Sequence, residues 1–155
     1  MESSPEVDAR RAELERVAPI AARGVRKRTR LGDADVVFLC GTIGAEFDAW
    51  QRRLATLSAA DALLSQQIGL DAVEKVMDGL EGEARIEIEE GRSGILSASR
   101  VKLMPRRSPG YGDLPLSLSR TILDALDAPR RIGVSITDSN LLVPSKSVTA
   151  ICEIC

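Results

Sequence analysis

The chain has 155 residues, with 21 lysines and arginines against 23 aspartates and glutamates, so its net charge is −2. This length is enough for one domain with a buried core. The near balance of charge argues against a general nucleic-acid-binding protein, which would carry a basic excess. Histidine is absent, which excludes a Ser-His-Asp hydrolase or a histidine zinc site built from this chain alone.

Neither a secretory signal nor a membrane span is predicted. The first residues are acidic and polar, unlike a signal peptide, and no apolar run approaches the ~20 residues of a membrane helix. The three cysteines, Cys40, Cys152 and Cys155, are an odd set in a chain without such a signal. We therefore expect reduced thiols and a cytoplasmic location.

The first 33 residues are expected to form a helical and basic N-terminal extension. Ser4 followed by Pro5 is a typical helix start, and the loose apolar stripe that follows predicts a helix ending near Gly24. Five basic residues then lie between Arg23 and Arg30. Such a run is most simply solvated surface, with a phosphate-binding or partner-docking patch as the alternative.

The clearest strand is the apolar run from Val36 to Cys40, and its continuity favours burial on both faces. Residues 45–90 are predicted to form two long helices, with Ser58 capping the second. Gly69 should destabilise that helix by roughly 1 kcal/mol. The predicted core positions of the second helix are Ala62, Leu63, Ile68, Leu70, Val73, Val76, Met77 and Leu80.

The last third of the chain predicts more strands. Residues 94–105 alternate as a short strand, and residues 115–129 follow as an amphipathic helix with Pro129 as its stop. Two β-rich runs then flank the turn residues 138–140, as in an antiparallel hairpin, and Pro144 indicates a bulge or an edge. The sum is a single α+β domain over residues 1–155, with helices on a small, mostly antiparallel sheet.

Three candidate sites have simpler structural explanations. The segment CGTIG, from Cys40 to Gly44, could hold an anion at a helix start, or be a tight strand-to-helix turn. Cys152 and Cys155 could be half a metal site or a redox pair, or a strand residue and a frayed thiol near a truncated end. The four acids at helical spacing could direct one carboxylate at a cationic ligand, or be the solvated face of a helix; they are Asp71, Glu74, Asp78 and Glu81.

The fourth candidate is the loop RRSPGYGD, residues 106–113. Pro109 and Gly110 give a defined loop that can approach a ligand closely, and Tyr111 offers a ring for stacking or hydrogen bonding. An adjacent arginine could hold a carboxylate with both arms of its guanidinium group. By spacing alone, a plain surface turn with incidental arginines is the favoured explanation of the segment.

Two motifs resemble the activation (reactivation) domain of cobalamin-dependent methionine synthase, in its short stand-alone form. The first is RRSPGYGDLPLS and the second is RIGVSITDSNLLVPSKSVTAI, some twenty residues further on; VVFLCGTIGAEFD is similar to a segment that precedes the first long helix of the short forms. The resemblance covers residues 34–151. It implies a bent, mostly antiparallel sheet flanked by helices that bind S-adenosylmethionine in a shallow site.

The resemblance also implies a function and the residues that carry it. Cobalamin that has oxidised to the cob(II) state would be reduced by one electron and methylated again from the bound donor. Arg106 would hold the donor's carboxylate, backbone groups near Ser108 would meet the adenine, and Tyr111 would lie beside the sulfonium and ribose. Pro109 and Gly110 complete the loop, and Glu74 is the expected carboxylate on the long helix, with Asp78 next to it.

Departures from the family pattern limit what the chain can do alone. Gly112 follows Tyr111 where the long enzymes have a second proline, and Asp138 replaces a glutamate. No homocysteine, folate or cobalamin module is present, so the chain would act on a separate corrinoid protein, with a flavodoxin-like electron donor. One alternative is a docking partner of a corrinoid methyltransferase that has lost donor binding. A more distant alternative is an anion- or nucleotide-binding domain that uses CGTIG.

Overall fold

A computed structural model describes residues 4–90 and 101–155. The helices are α1 (Pro5–Val17), α2 (Ala45–Leu57), α3 (Ala59–Arg85), α4 (Leu118–Leu126) and α5 (Ala128–Ile132); a π-helical turn, Ile86–Glu90, continues α3. The strands are β1 (Arg23–Leu31), β2 (Ala34–Thr42), β3 (Ser135–Ile136), β4 (Leu142–Val143) and β5 (Ser147–Glu153). The α+β class is thereby confirmed.

The main sheet is antiparallel, with the strand order β1-β2-β5. β2 is central and buried on both faces, as its continuous apolar run predicts. Alternate residues point to opposite faces of a strand, so Val37 and Leu39 pack beneath α3, whereas Val36 and Phe38 pack against α4 and α5. A third apolar cluster joins α1, α2 and the first half of α3.

The N-terminal segment departs from the sequence prediction. Ser4 caps α1 by accepting a hydrogen bond from the Val7 amide, but the helix ends at Val17, well before Gly24. The basic run between Arg23 and Arg30 forms β1, an outer strand of the main sheet that was not predicted, although most of its basic side chains are exposed as expected. The run has few apolar residues, so the sequence did not predict a strand there. An edge strand tolerates lysine and arginine at positions where a central strand would not.

The helix α3 confirms half of its eight predicted core positions as buried and corrects two of them. Ser58 caps α3 through the Asp61 amide at 3.2 Å. Ile68, Val73, Met77 and Leu80 are buried, but Leu63 and Leu70 are exposed. The first turns of α3 are covered by α1 and α2 on a narrower stripe than the sequence pattern suggested.

The C-terminal region was only partly predicted. α4 ends at Leu126 because Asp127 adopts a left-handed conformation, with φ 55°; Pro129 instead lies in the first turn of α5. The predicted hairpin is short, with two residues in each of β3 and β4. After Pro144 the chain leaves that hairpin, and β5 pairs with β2 in the main sheet. Residues 94–100 of the predicted short strand lie outside the described residues.

Candidate functional site

Arg106 contacts three carboxylates on one face of α3. Its Nη2 donates to Glu74 Oε2 at 2.6 Å, and its Nη1 donates to Asp78 Oδ1 at 2.8 Å and to Glu81 Oε1 at 2.7 Å. Glu74, Asp78 and Glu81 lie three or four residues apart, so consecutive turns of the helix present them side by side. The structure thus brings together Arg106 and Glu74, two residues that the sequence interpretation placed in one site.

An irregularity in the chain before the loop directs Arg106 towards α3. The segment pairs with the open side of β5, through bridges from Leu103 to Ile154 and from Arg107 to Ile151. Leu103 and Arg107 are four residues apart, whereas their partners Ile154 and Ile151 are only three residues apart. The extra residue in the segment forms a β-bulge. Leu103 therefore packs under α3, while Arg107 lies opposite Ile151, which belongs to the other face of the sheet. Without the bulge, residues 103 and 107 would share a face.

The carboxylates around Arg106 differ in exposure. Glu81 is 14% exposed, whereas Glu74 is 55% and Asp78 is 68% exposed. Burial by itself lowers the pKa of the Arg106 guanidinium, but the bonds to Glu81, Asp78 and Glu74 outweigh it, and the net shift is upward. Arg106 is therefore a fixed cation that anchors a buried carboxylate and orients two exposed ones.

The site as a whole is negatively charged. Three carboxylates surround one guanidinium group, and this leaves an excess of two negative charges. Arg85 adds a positive charge, but it pairs with Glu89 as well as with Glu81, so the excess is unchanged. A cluster of this kind attracts a cationic group more readily than a second anion.

The loop after Arg106 is exposed and closed on itself. Gly110 and Gly112 have φ angles of 93° and 60°, a region that glycine adopts without strain. The Gly110 amide donates to Leu114 O at 2.9 Å, and the Tyr111 amide donates to Ser108 O at 3.3 Å. Tyr111 is 75% exposed. The tyrosine ring is thus held outside the core on a defined turn, as its sequence context suggested.

Arg107 has a different environment from its neighbour. It pairs with Asp113 across the loop and with Glu153 of β5 at 3.3 Å. These partners lie on the opposite side of the sheet from Arg106, as the bulge requires. Arg107 therefore stabilises the base of the loop, and of these two neighbouring arginines only Arg106 contacts the acids of α3.

The acidic stripe on α3 is divided between two arginines. Asp71 pairs with Arg11 of α1, while the other three acids bond to Arg106. Sequence reasoning singled out Glu74 and Asp78 but did not select Glu81, which is the most buried of the three. The sequence shows that Glu81 belongs to the acidic stripe. Its burial, however, depends on where residues 101–107 lie in the folded chain.

An open groove begins beside this acidic cluster. It encloses about 730 Å³ between α1 and α3, within the range typical of small-molecule sites. Its lining includes Glu74 and Asp78, together with Arg11 and Glu15 of α1 and the apolar side chains of Ile20 and Ile68. Glu74 and Asp78 therefore face both Arg106 and the groove.

The other sequence candidates are explained by the fold. In CGTIG, Ile43 is fully buried, and Gly44, with φ 92°, precedes α2, so the segment is a tight strand-to-helix turn. Cys152 is a buried residue of β5, and burial raises the pKa of its thiol to about 11. Cys155 is exposed. Among residues 4–90 and 101–155, no group of three or more Cys, Asp or Glu side chains is placed to hold a metal ion.

The fold and the site define an α+β protein with an acidic helix face beside a glycine-containing loop at one edge of an antiparallel sheet. Comparison of structures then shows a likeness to the MetH reactivation domain bound to AdoHcy, with a TM-score of 0.72 and 16% sequence identity. The likeness covers 96% of this chain and 63% of that one. The chain accordingly has an activation-domain-like fold, and the resemblance read from its motifs is confirmed at the level of the fold.

The other comparisons give no match. No family model matches the chain, and no curated protein matches it by sequence. In the part of the chain that the structure describes, no helix is long and apolar enough to cross a membrane.

Proposed function

We propose that the chain binds S-adenosylmethionine beside Arg106 and supports the reductive methylation of cobalamin on a separate methionine synthase. The bound donor would supply a methyl group to a corrinoid that a flavodoxin-like protein has reduced by one electron. The chain itself would orient the donor, without acid–base catalysis. The observation that carries the proposal is that Glu74 and Asp78 are both fixed by Arg106 and exposed to a groove of suitable size.

The charge of the donor supports this placement. S-adenosylmethionine has a cationic sulfonium and an α-ammonium group, and both favour a nearby carboxylate. Glu74 and Asp78 carry the exposed part of the excess negative charge, so we assign them to these cations. The loop from Ser108 through Pro109 and Gly110 to Tyr111 would meet the adenine and ribose.

The contacts of Arg106 change the role proposed for it. Its two terminal nitrogens already bond to the acids of α3, whereas the sequence interpretation gave Arg106 the donor's carboxylate. We now propose that Arg106 acts mainly by holding Glu74 and Asp78 in position. The fold likeness to a reactivation domain bound to AdoHcy supports a ligand of this type, because AdoHcy differs from the donor by the methyl group and its charge.

Isothermal titration calorimetry with S-adenosylmethionine tests the proposal. We expect Glu74→Gln and Tyr111→Ala each to weaken binding about tenfold, equivalent to ~1.4 kcal/mol. Glu46→Gln is the matched control, because Glu46 is an exposed carboxylate in the first turn of α2. Arg106→Lys keeps the charge but loses the planar fork, so it should also weaken binding.

Two results would contradict the proposal. One is the absence of binding to the folded wild-type chain, which would favour the alternative of a docking partner without donor binding. The other is equal affinity in the wild type and in Glu74→Gln. Reconstitution with an inactive cob(II) partner, a reductant and labelled S-adenosylmethionine would then test transfer: label should reach the corrinoid only when the chain is present.

A further inference from the structure

A second groove runs along the outer edge of β1, at the opposite edge of the sheet from Arg106. Within the described residues β1 pairs with β2 alone. Two cavities of about 320 and 400 Å³ lie between this strand and α3, and Gly24, Leu80 and Glu83 line both of them. A Cβ atom on Gly24 would lie 2.9 Å from Leu80 Cδ1, so the glycine allows the helix to lie close to the strand.

The open edge of β1 offers backbone hydrogen bonds. In an antiparallel pair, alternate residues direct their N–H and C=O groups away from the partner strand. β1 has nine residues, so several such groups line the groove. An extended peptide can add to an edge of this kind as a further strand, while its side chains contact the flanking helix.

The free charge along this edge is positive. Arg26 pairs with Glu83 of α3 and with Glu87 of the π-helical turn that continues it. Among residues 4–90 and 101–155, no ion pair involves Arg23, Lys27 or Arg30 of β1. The same holds for two cations that line the cavities, Lys75 of α3 and Arg131 of α5. This edge therefore carries an excess of positive charge, although the whole chain has a net charge of −2.

From these features we infer that the β1–α3 groove binds an extended acidic segment of a partner protein by strand addition. Acidic side chains on one face of the segment would pair with Arg23 and Lys27, which share a face of β1. Apolar side chains on its other face would contact Leu80, which packs against Gly24 on the α3 side of the strand. The two grooves share Ala22, Lys75 and Val76 in their linings. The inference does not depend on the proposed donor site, because the strand edge and the cations assigned to the acidic segment lie on β1, whereas Arg106 lies at the other edge of the sheet.

Two other occupants fit the groove less well. A second copy of the chain would place the cations of one β1 opposite those of another, and like charges on paired strands repel. A single-stranded nucleic acid would use stacking on aromatic rings, but Phe38, Phe47 and Trp50 are in the core and Tyr111 is on the distant loop. A peptide backbone matches the hydrogen-bonding edge of a strand, and a nucleic acid does not.

Fluorescence anisotropy with a labelled peptide of alternating glutamate and valine tests the inference at physiological salt. We expect saturable binding, weakened at least about tenfold in the double variant Arg23→Glu/Lys27→Glu. Arg52→Glu/Arg53→Glu is the matched control, since this double variant makes the same total charge change on the exposed surface of α2. A lysine–valine peptide should not bind, and neither should a glutamate–valine peptide N-methylated at alternate residues.

The controls distinguish the alternatives. Equal binding of the N-methylated peptide would overturn strand addition, and tighter binding of oligothymidylate would favour a nucleic acid. A dimer seen by sedimentation, or no binding at millimolar peptide, would also overturn the inference. Circular dichroism and retained affinity for S-adenosylmethionine would show that the double variant is folded. Conversely, Glu74→Gln should leave peptide binding unchanged, so failure of the donor site is distinguishable from failure of this groove.

Discussion

Replacing Gly69 by alanine should destabilise the protein, although alanine favours a helix. Gly69 lies inside α3 and is buried. An added Cβ would lie 2.7 Å from Phe47 Cε1 and 3.0 Å from Lys146 Cε, both closer than van der Waals contact permits. Phe47 is fully buried and packs against Trp50, with ring centroids 5.3 Å apart, so the ring has little room to move.

The size of the effect follows from two opposed contributions. Forcing a methyl group into a packed core costs about 1–3 kcal/mol. The higher helix propensity of alanine offsets this by ~1 kcal/mol. The net expectation for Gly69→Ala is a loss of about 0–2 kcal/mol in the free energy of unfolding, or up to several degrees in Tm for a chain of this size.

Gly79 provides the matched control in the same helix. No atom lies within 4 Å of a Cβ built there, so Gly79→Ala should stabilise the protein by about 0.5–1 kcal/mol through helix propensity alone. Urea denaturation followed by circular dichroism would measure both variants. Shifts of the same sign would refute the packing argument. In a Phe47→Leu background, Gly69→Ala should become neutral or stabilising, because the obstructing ring has been removed.

Three further predictions concern charged and thiol side chains. Arg106→Ala should lower the free energy of unfolding by about 1–2 kcal/mol, since Glu81, largely buried, then keeps only Arg85 as a charged donor. Arg107→Ala, which loses only exposed pairs, should cost about 0–1 kcal/mol, and equal losses in urea titrations would contradict the assignment. Cys155 should react with a thiol reagent in the folded protein and the two buried cysteines only after unfolding; mass spectrometry would count the modified thiols. Burial lowers the pKa of Lys146 in the folded protein. Between that lowered pKa and the ordinary value of ~10.4, the unfolded chain binds more protons than the folded one. The free energy of unfolding should therefore rise with pH in this window. Lys146→Met should remove that rise. If the free energy of unfolding varied with alkaline pH in the same way in the wild type and in Lys146→Met, the prediction would be wrong.

The sequence by itself determined those elements that local chemistry controls. The apolar run of β2, the Ser4 and Ser58 caps and the two long helices were all predicted, since a cap or a hydrophobic period is encoded within a few residues. The turn at Tyr111 was likewise evident from its proline and glycines. The α+β class followed from the order of these elements.

The tertiary structure decided how distant segments meet. The edge pairing of β1 made a strand of a basic run for which the local pattern predicted only solvated surface, because its partner, β2, supplies the hydrogen bonds. The bulge before the loop sent Arg106 towards α3 and Arg107 away from it. It also buried Glu81, which spacing alone did not distinguish from its neighbours. Strand register and burial are set by contacts between residues far apart in sequence, so the acidic cluster beside Arg106 became visible only in the folded chain.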